Sequence, residues 1–157
     1  MLLPFFQWLE SLWLGQFIVS SNWLFPVIES VHLLALAVLG GAILVVDMRL
    51  LGLGLKNHAV TQIAREARPW LVGALVVMIA TGVPLFLSEA VKCYYSQAFW
   101  NKMTALALGL VFTFTVRARA TETESVRHTA RRQAVVGALS LALWFTVAAS
   151  GRWIGFS

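Results

Sequence analysis

The stretch FPVIESVHLLALAVLGGAILVVDMRLLG, residues 25–52, decides the fold of this chain. It is longer and more apolar than the roughly 20 residues that an α-helix needs to cross a bilayer, so it predicts a membrane span. It nevertheless carries Glu29 and His32 one helical turn apart near its start. Ionisable side chains inside a span are costly and typically functional, so this pair is the first candidate for a site.

The whole chain has the composition of a membrane protein. Of its 157 residues, 59% are hydrophobic and 12% are charged, and the mean hydropathy is +0.79. No polar stretch is long enough to build a separate soluble domain. The basic residues behind the net charge of +5 cluster in short loops, which favours membrane orientation over nucleic-acid binding. Cys93 is the only cysteine, which excludes an internal disulfide and a zinc or iron–sulfur site built from thiolates of one chain.

The apolar segments predict an all-α fold, a bundle of four transmembrane helices that forms a single domain over residues 21–157. The predicted spans are 23–53, 69–91, 99–118 and 133–154. Residues 1–20 are predicted to form an amphipathic helix that lies in the membrane interface, with a loosely held apolar tail as the alternative. The helix is indicated by large apolar side chains that recur on one face, namely Phe5, Trp8, Leu9, Leu12, Trp13 and Phe17.

Basic residues are distributed unequally between the two sides of the predicted bundle. Nine lie in or beside the loops at 55–68 and 117–132, and three lie on the opposite side. By the positive-inside rule, these two loops are cytoplasmic. The sequence therefore predicts a multi-pass protein of the bacterial inner membrane with both termini in the periplasm. Asp47 and Arg49, at the cytoplasmic end of the first span, are predicted to pair with the basic loops.

All four spans bring an ionisable residue to one predicted depth near the periplasmic side. Small residues follow several of these positions at helical spacing, which is typical of helix–helix contact in membranes, so the polar groups are predicted to point into the bundle. The alternatives are that the cations extend to water and that the histidine hydrogen-bonds only to the carboxylate or a carbonyl. The candidate residues are Glu29 and His32 in the first span, Glu89 and Lys92 in the second, Lys102 in the third and Arg152 in the fourth.

An intramembrane imidazole beside a carboxylate is the arrangement that metal sites favour, because the acid fixes the ring tautomer. Haem is a membrane cofactor that takes an axial histidine. We therefore predict His32 as the metal ligand of a haem b or porphyrin, Glu29 as its partner and Gly40 as space for the macrocycle. Lys102 and Arg152 are predicted to pair with its propionates. His32 is the only histidine in a predicted span, so a haem would be five-coordinate, ligated by another residue type, or shared with a partner chain.

Several phrases resemble an uncharacterised family of short bacterial four-helix membrane proteins, a domain of unknown function, over nearly the whole chain. They are HLLALAVLGGAILVVDMRLLGL in the first span, RPWLVGALVVMIATGVPLFLSEAVK in the second, FWNKM in the third and SGRWIGF in the fourth. The layout is also distantly similar to HemJ-type protoporphyrinogen oxidases and to the copper-resistance D membrane domain. Those families place a histidine in the first span, and the HemJ type has a lysine at the start of the third. The matching positions are His32 and Lys102, and the HemJ resemblance implies haem or porphyrin binding.

Three classes of function follow from the sequence. The first is a haem- or porphyrin-binding membrane protein that takes part in electron transfer or redox chemistry near the periplasmic face. The second is a structural or assembly subunit of a larger membrane complex, or of a homo-oligomer, in which the polar residues orient the helices. The third is a small proton-linked transporter, with Glu29, His32 and Glu89 as a relay. Substrate, redox partner and catalytic residues are not assigned by the sequence.

Overall fold

The structure is a computed structural model that describes residues 2–122 and 128–154, apart from the side chains of residues 128 and 129. Within these ranges the chain is helical and has no strand, which confirms the predicted all-α fold. Four of its helical stretches are long and apolar enough to cross a membrane, and they pack against one another as a bundle. The predicted connection at residues 123–127 lies outside the described residues.

The helices follow one another in an up-and-down order. The first, second and fourth spans are single helices, whereas the third is continuous but includes a π-helical segment, Thr113–Arg117. The elements are α1 (Leu3–Glu10), α2 (Trp13–Ser20), α3 (Leu24–Leu50), α4 (Val60–Ser88), α5 (Ala90–Tyr95), α6 (Gln97–Phe112), α7 (Ala118–Glu122) and α8 (His128–Ile154). α3 begins at one end of the bundle, which we name the His32 end. It finishes at the other end, which we name the Asp47 end.

The helix that carries the second span begins before the predicted span, at Val60 rather than residue 69. Tertiary packing explains the difference, because Val60 and Ile63 are buried in an apolar cluster with Val46, Leu50 and Val136. That cluster holds the first turns of α4 against α3 and α8 at the Asp47 end. The polar residues between Val60 and Ile63 lie on the more exposed side of the helix.

The N-terminal segment forms two short helices rather than the single predicted helix. The break falls at Ser11 and Leu12, where Leu12 adopts an extended backbone. Phe6 and Ile18 are buried against the bundle, at 6% and 2% exposure. The predicted aromatic face is turned outwards and is exposed at Phe5, Trp8, Trp13 and Phe17.

Two contacts attach the N-terminal helices to the His32 end. The Val91 amide, at the start of α5, donates a hydrogen bond to the Glu10 carboxylate at 2.7 Å. Gly15 of α2 lies so close to the end of α4 that a Cβ there would come within 2.6 Å of the Leu87 carbonyl oxygen. Because a backbone atom cannot move aside, this approach requires glycine.

An ion pair between Asp47 of α3 and Arg117 of the π-helical segment lies buried at the Asp47 end. Arg117 Nε donates to Asp47 Oδ1 at 2.7 Å, and the two side chains are 7% and 0% exposed. Arg117 Nη2 also donates to the Ile43 carbonyl at 3.3 Å. The partner of Asp47, Arg117, is one of the basic residues predicted to be cytoplasmic. The pair forms inside the bundle rather than in a loop. Arg49 instead donates to the His58 carbonyl.

Further buried polar groups surround this ion pair. The Trp144 indole of α8 donates to Thr113 Oγ1 at 3.0 Å, so the two ends of the π-helical segment are both bonded to neighbouring helices. Ser140 of α8 is fully buried, and its hydroxyl lies beside the Asp47 carboxylate. A π-helical turn changes which side chains face inwards, and here both Thr113 and Arg117 are buried.

We expect Asp47→Asn to lower the free energy of unfolding by about 3–5 kcal/mol, because it leaves the Arg117 guanidinium buried without an opposite charge. The double variant Asp47→Leu, Arg117→Met removes both charges and should recover most of this loss. The measurement is unfolding of the purified protein in detergent micelles, followed by circular dichroism as SDS is added. Lys92→Met serves as the control, since Lys92 forms only a long, half-exposed pair with Glu89. Equal stability of Asp47→Asn and Lys92→Met would contradict the expectation.

Candidate functional site

His32 lies in the upper part of α3 on the side that faces the bundle. The buried stripe of this helix contains Ala35, Leu39 and Ile43, and His32 stands one turn before it, half-buried. Its ring packs against α4 at Gly82, where an added Cβ would come within 3.2 Å of the ring carbon Cε1. The absence of a side chain at Gly82 is therefore what lets the imidazole lie against the α4 backbone.

A hydrogen bond to Thr81 fixes the tautomer of this imidazole. His32 Nδ1 lies 2.8 Å from Thr81 Oγ1. The Thr81 hydroxyl also lies 2.7 Å from the Val77 carbonyl, to which it can donate, and in that arrangement Oγ1 accepts from Nδ1–H. In a neutral imidazole the second nitrogen, Nε2, then carries a lone pair, which can bind a metal or accept a proton.

Two predicted site residues of α3, Glu29 and Gly40, are exposed. They lie about three helical turns apart and so fall on one line along the helix, at the exposed edge of the stripe that contains His32 and Ile43. Thr81 of α4, rather than Glu29, is the partner of Nδ1. The predicted role of Glu29 beside His32 therefore stays a prediction, and in this structure Thr81 stands in the place expected for it. A Cβ at Gly40 would meet nothing within 4 Å, so this glycine does not serve helix packing.

Lys102 of α6 points into the bundle, as predicted, and is half-buried. A Cβ at Gly151 of α8 would lie 3.6 Å from Lys102 Nζ, so the lysine side chain lies along the α8 backbone at this glycine. Lys102 is close enough to His32 for their charges to interact. Arg152, the next residue in α8, is exposed. The structure thus brings His32 and Lys102 together from two spans and leaves Arg152 at the surface.

Glu89 lies at the junction of α4 and α5, half-exposed, with its carboxylate 3.9 Å from Lys92 Nζ. The neighbouring Cys93 is buried at 7% exposure in an apolar cluster with Phe6, Ala90 and Phe99. Burial raises the pKa of the Cys93 thiol to about 11, and the Glu89 carboxylate acts in the same direction. Lys102 opposes this shift, which places Lys102 near the thiol as well as near His32. Glu89, Cys93 and Lys102 therefore occupy one region at the His32 end.

The protein offers no ready site for a bare metal ion in the part of the chain that the structure describes. No group of three or more His, Cys, Asp or Glu residues is placed to hold one there. A cavity of about 340 Å³ lies elsewhere, between α3 and α4 on the lipid-facing side, and His32 does not line it.

The family model of DUF6644, a family of unknown function, matches residues 5–157. The chain belongs to this family. No curated protein and no solved structure matches it. Membership in this family covers the N-terminal helices as well as the four spans, but it assigns no reaction or ligand.

Sequence reasoning missed the residues of other spans that contact His32 and Lys102. Thr81 and Gly82 interrupt an otherwise apolar run in the second span, and a polar residue beside a glycine was the available signal. Gly151 lies in the SGRWIGF phrase, and nothing in the sequence indicates that Lys102 lies along it. Arg117 was assigned to a loop because it begins a basic run.

We expect the thiol of Cys93 to react slowly with iodoacetamide in the folded protein at pH 8, because only the thiolate reacts and the pKa of this thiol is about 11. The rate should rise steadily between pH 8 and pH 11. SDS-unfolded protein should react much faster at pH 8, since its thiol returns to its ordinary pKa. Mass spectrometry of alkylated protein measures both rates, and Cys93 is the only thiol that contributes. Equal rates for folded and unfolded protein at pH 8 would contradict the burial.

Proposed function

We propose that this protein binds a haem b or a related metalloporphyrin near the His32 end of the bundle, with His32 as the axial ligand, and acts in electron transfer or redox chemistry. The observation that carries the proposal is the hydrogen bond between His32 Nδ1–H and Thr81 Oγ1. It leaves Nε2 as the nitrogen with the free lone pair, on a half-buried ring inside a membrane span. Metal-ligating histidines typically donate their other ring N–H in this way.

A single histidine suits a porphyrin better than a bare ion. A structural or catalytic metal ion needs three or four protein ligands, and the described residues group no such set. A metalloporphyrin brings four nitrogen ligands of its own and takes one axial ligand from the protein. When bound, such a group would supply one-electron redox chemistry.

The other residues of the site have separate roles in this proposal. Thr81 holds the tautomer and the orientation of His32, and Gly82 provides the space for the ring. Lys102 supplies a positive charge on the opposite side of the bundle interior, suited to a carboxylate. Glu29, Glu89 and Arg152 lie at the same end and could contact the polar edge of a bound group, but they do not orient His32 in this structure.

Proton-linked transport, the third alternative from the sequence, receives less support from the packing. An apolar cluster lies along the bundle between His32 and the Asp47–Arg117 pair. Its buried members from the four spans include Leu39, Met78, Ala105 and Trp144. Among the described residues no polar side chain of this cluster links the two ends, apart from the Trp144 indole that is bonded to Thr113.

We expect detergent-purified protein, expressed with ample haem, to show a Soret band and a reduced-minus-oxidised difference spectrum. The variant His32→Ala should lose both, because it removes the axial ligand. His58→Ala is the matched control, since His58 is exposed in the loop between α3 and α4 and should leave both spectra unchanged. A wild-type protein without a Soret band, or an unchanged spectrum in His32→Ala, would contradict the proposal.

The same preparations also test the second alternative, a structural or assembly subunit. Stable co-purification with other membrane subunits, a wild-type sample without haem and an unchanged complex in His32→Ala would favour that function. The buried Asp47–Arg117 pair would then serve only to orient the helices.

We expect Thr81→Val to weaken haem binding by about 10- to 100-fold, because it removes the acceptor of His32 Nδ1–H while keeping the shape of the side chain. Titration of haem into the haem-free protein, followed by the Soret absorbance, gives the affinity. Thr104→Val is the control, because Thr104 is exposed and donates only to the Trp100 carbonyl of its own helix. Identical affinities for Thr81→Val and Thr104→Val would show that Thr81 does not position the ligand.

A further inference from the structure

A groove on the outer side of α3 and α4 lies apart from His32. It has a volume of about 340 Å³, within the range of roughly 300–1,000 Å³ that small-molecule sites occupy. Its floor is apolar and includes small residues of α3, so the two helices do not fill the space between them. The lining residues are Val38, Gly41, Ala42, Val45, Ile63, Glu66, Ala67 and Trp70.

Charge is concentrated at one end of this groove. The charged residues of α4 are Arg65, Glu66 and Arg68, and the helix carries none from Pro69 to its end. The aqueous boundary of the second span therefore lies near Trp70, at the depth where tryptophan is enriched in membrane proteins. Glu66 is the only charged residue that lines the groove. Its carboxylate accepts a hydrogen bond from Gln62 Nε2 at 3.0 Å, which orients it along the helix surface.

The groove thus combines an apolar channel at membrane depth with a carboxylate and an indole at its aqueous end. Trp70 is 67% exposed, so the face of its ring is accessible. A carboxylate and an aromatic face attract the same kind of group, an ammonium ion.

We propose that this groove binds a zwitterionic phospholipid with a cationic headgroup, such as phosphatidylethanolamine. One acyl chain occupies the apolar channel along Gly41 and Val45. The headgroup ammonium lies between Glu66 and Trp70. An anionic phospholipid has the same chains and phosphate but lacks the ammonium, so Glu66 repels it. This inference does not depend on haem binding, because the groove and His32 are separate.

The test is native mass spectrometry of the full-length protein in detergent, incubated with equal amounts of phosphatidylethanolamine and phosphatidylglycerol of identical acyl chains. We expect a preference for phosphatidylethanolamine of roughly two- to fivefold. Glu66→Gln should bring the ratio close to one, whereas Glu122→Gln should leave it unchanged because Glu122 is an exposed carboxylate outside the groove. A wild-type ratio near one, or an unaltered ratio in Glu66→Gln, overturns the proposal.

A second pair of variants tests the groove itself. Gly41→Leu fills the channel, and Gly73→Leu adds the same side chain to α4 outside it. An added Cβ meets nothing within 4 Å at either glycine, so both variants should fold. Gly41→Leu should bind less of both phospholipids than Gly73→Leu. Equal lipid binding by the two variants overturns the proposal. It is also overturned if the wild-type protein is a dimer that dissociates in Gly41→Leu while the ratio of bound phosphatidylethanolamine to phosphatidylglycerol stays at one.

Discussion

The buried contact between Asp47 and Arg117 constrains the rest of the bundle. A charge in the membrane interior is tolerated when its partner is held close, and here the two side chains come from the first and third spans. The π-helical segment sets the direction of Arg117, while Thr113 at its other end accepts from Trp144 of the fourth span. Gly137 lets α8 approach the Asp47 backbone, where an added Cβ would come within 3.0 Å of the carbonyl oxygen. Three spans are thus fixed at one end by groups that must all be in place together.

At the opposite end the constraint is looser, and that is where we propose that a ligand binds. His32 and Lys102 are half-buried, and each lies along a glycine of a neighbouring span rather than in a closed ion pair. Thr81 satisfies one ring nitrogen of His32 and leaves the other available.

Hydrophobic length alone was enough to predict the four spans, because a lipid environment permits few alternatives to a helix. The interior position of Lys102 also followed from helical spacing. The partner of Asp47 did not, because the pairing depends on how spans distant in sequence are rotated against each other, and Arg117 reads as the start of a basic loop. Glu29 looked like the natural partner of His32 because it is one turn away in sequence. The ring turns instead towards a hydroxyl of the second span, which no pattern within the first span could reveal.

The close approach of Gly15 to the Leu87 carbonyl has a consequence for biogenesis. The groups that hold the N-terminal helices are synthesised after the first span, because Leu87 lies in the last turn of the second span and the Val91 amide follows it. Helices α1 and α2 therefore cannot reach their final positions when they leave the ribosome. They can dock only after the second span has been synthesised, so the N-terminus of the chain is placed by a part of the chain that is made later.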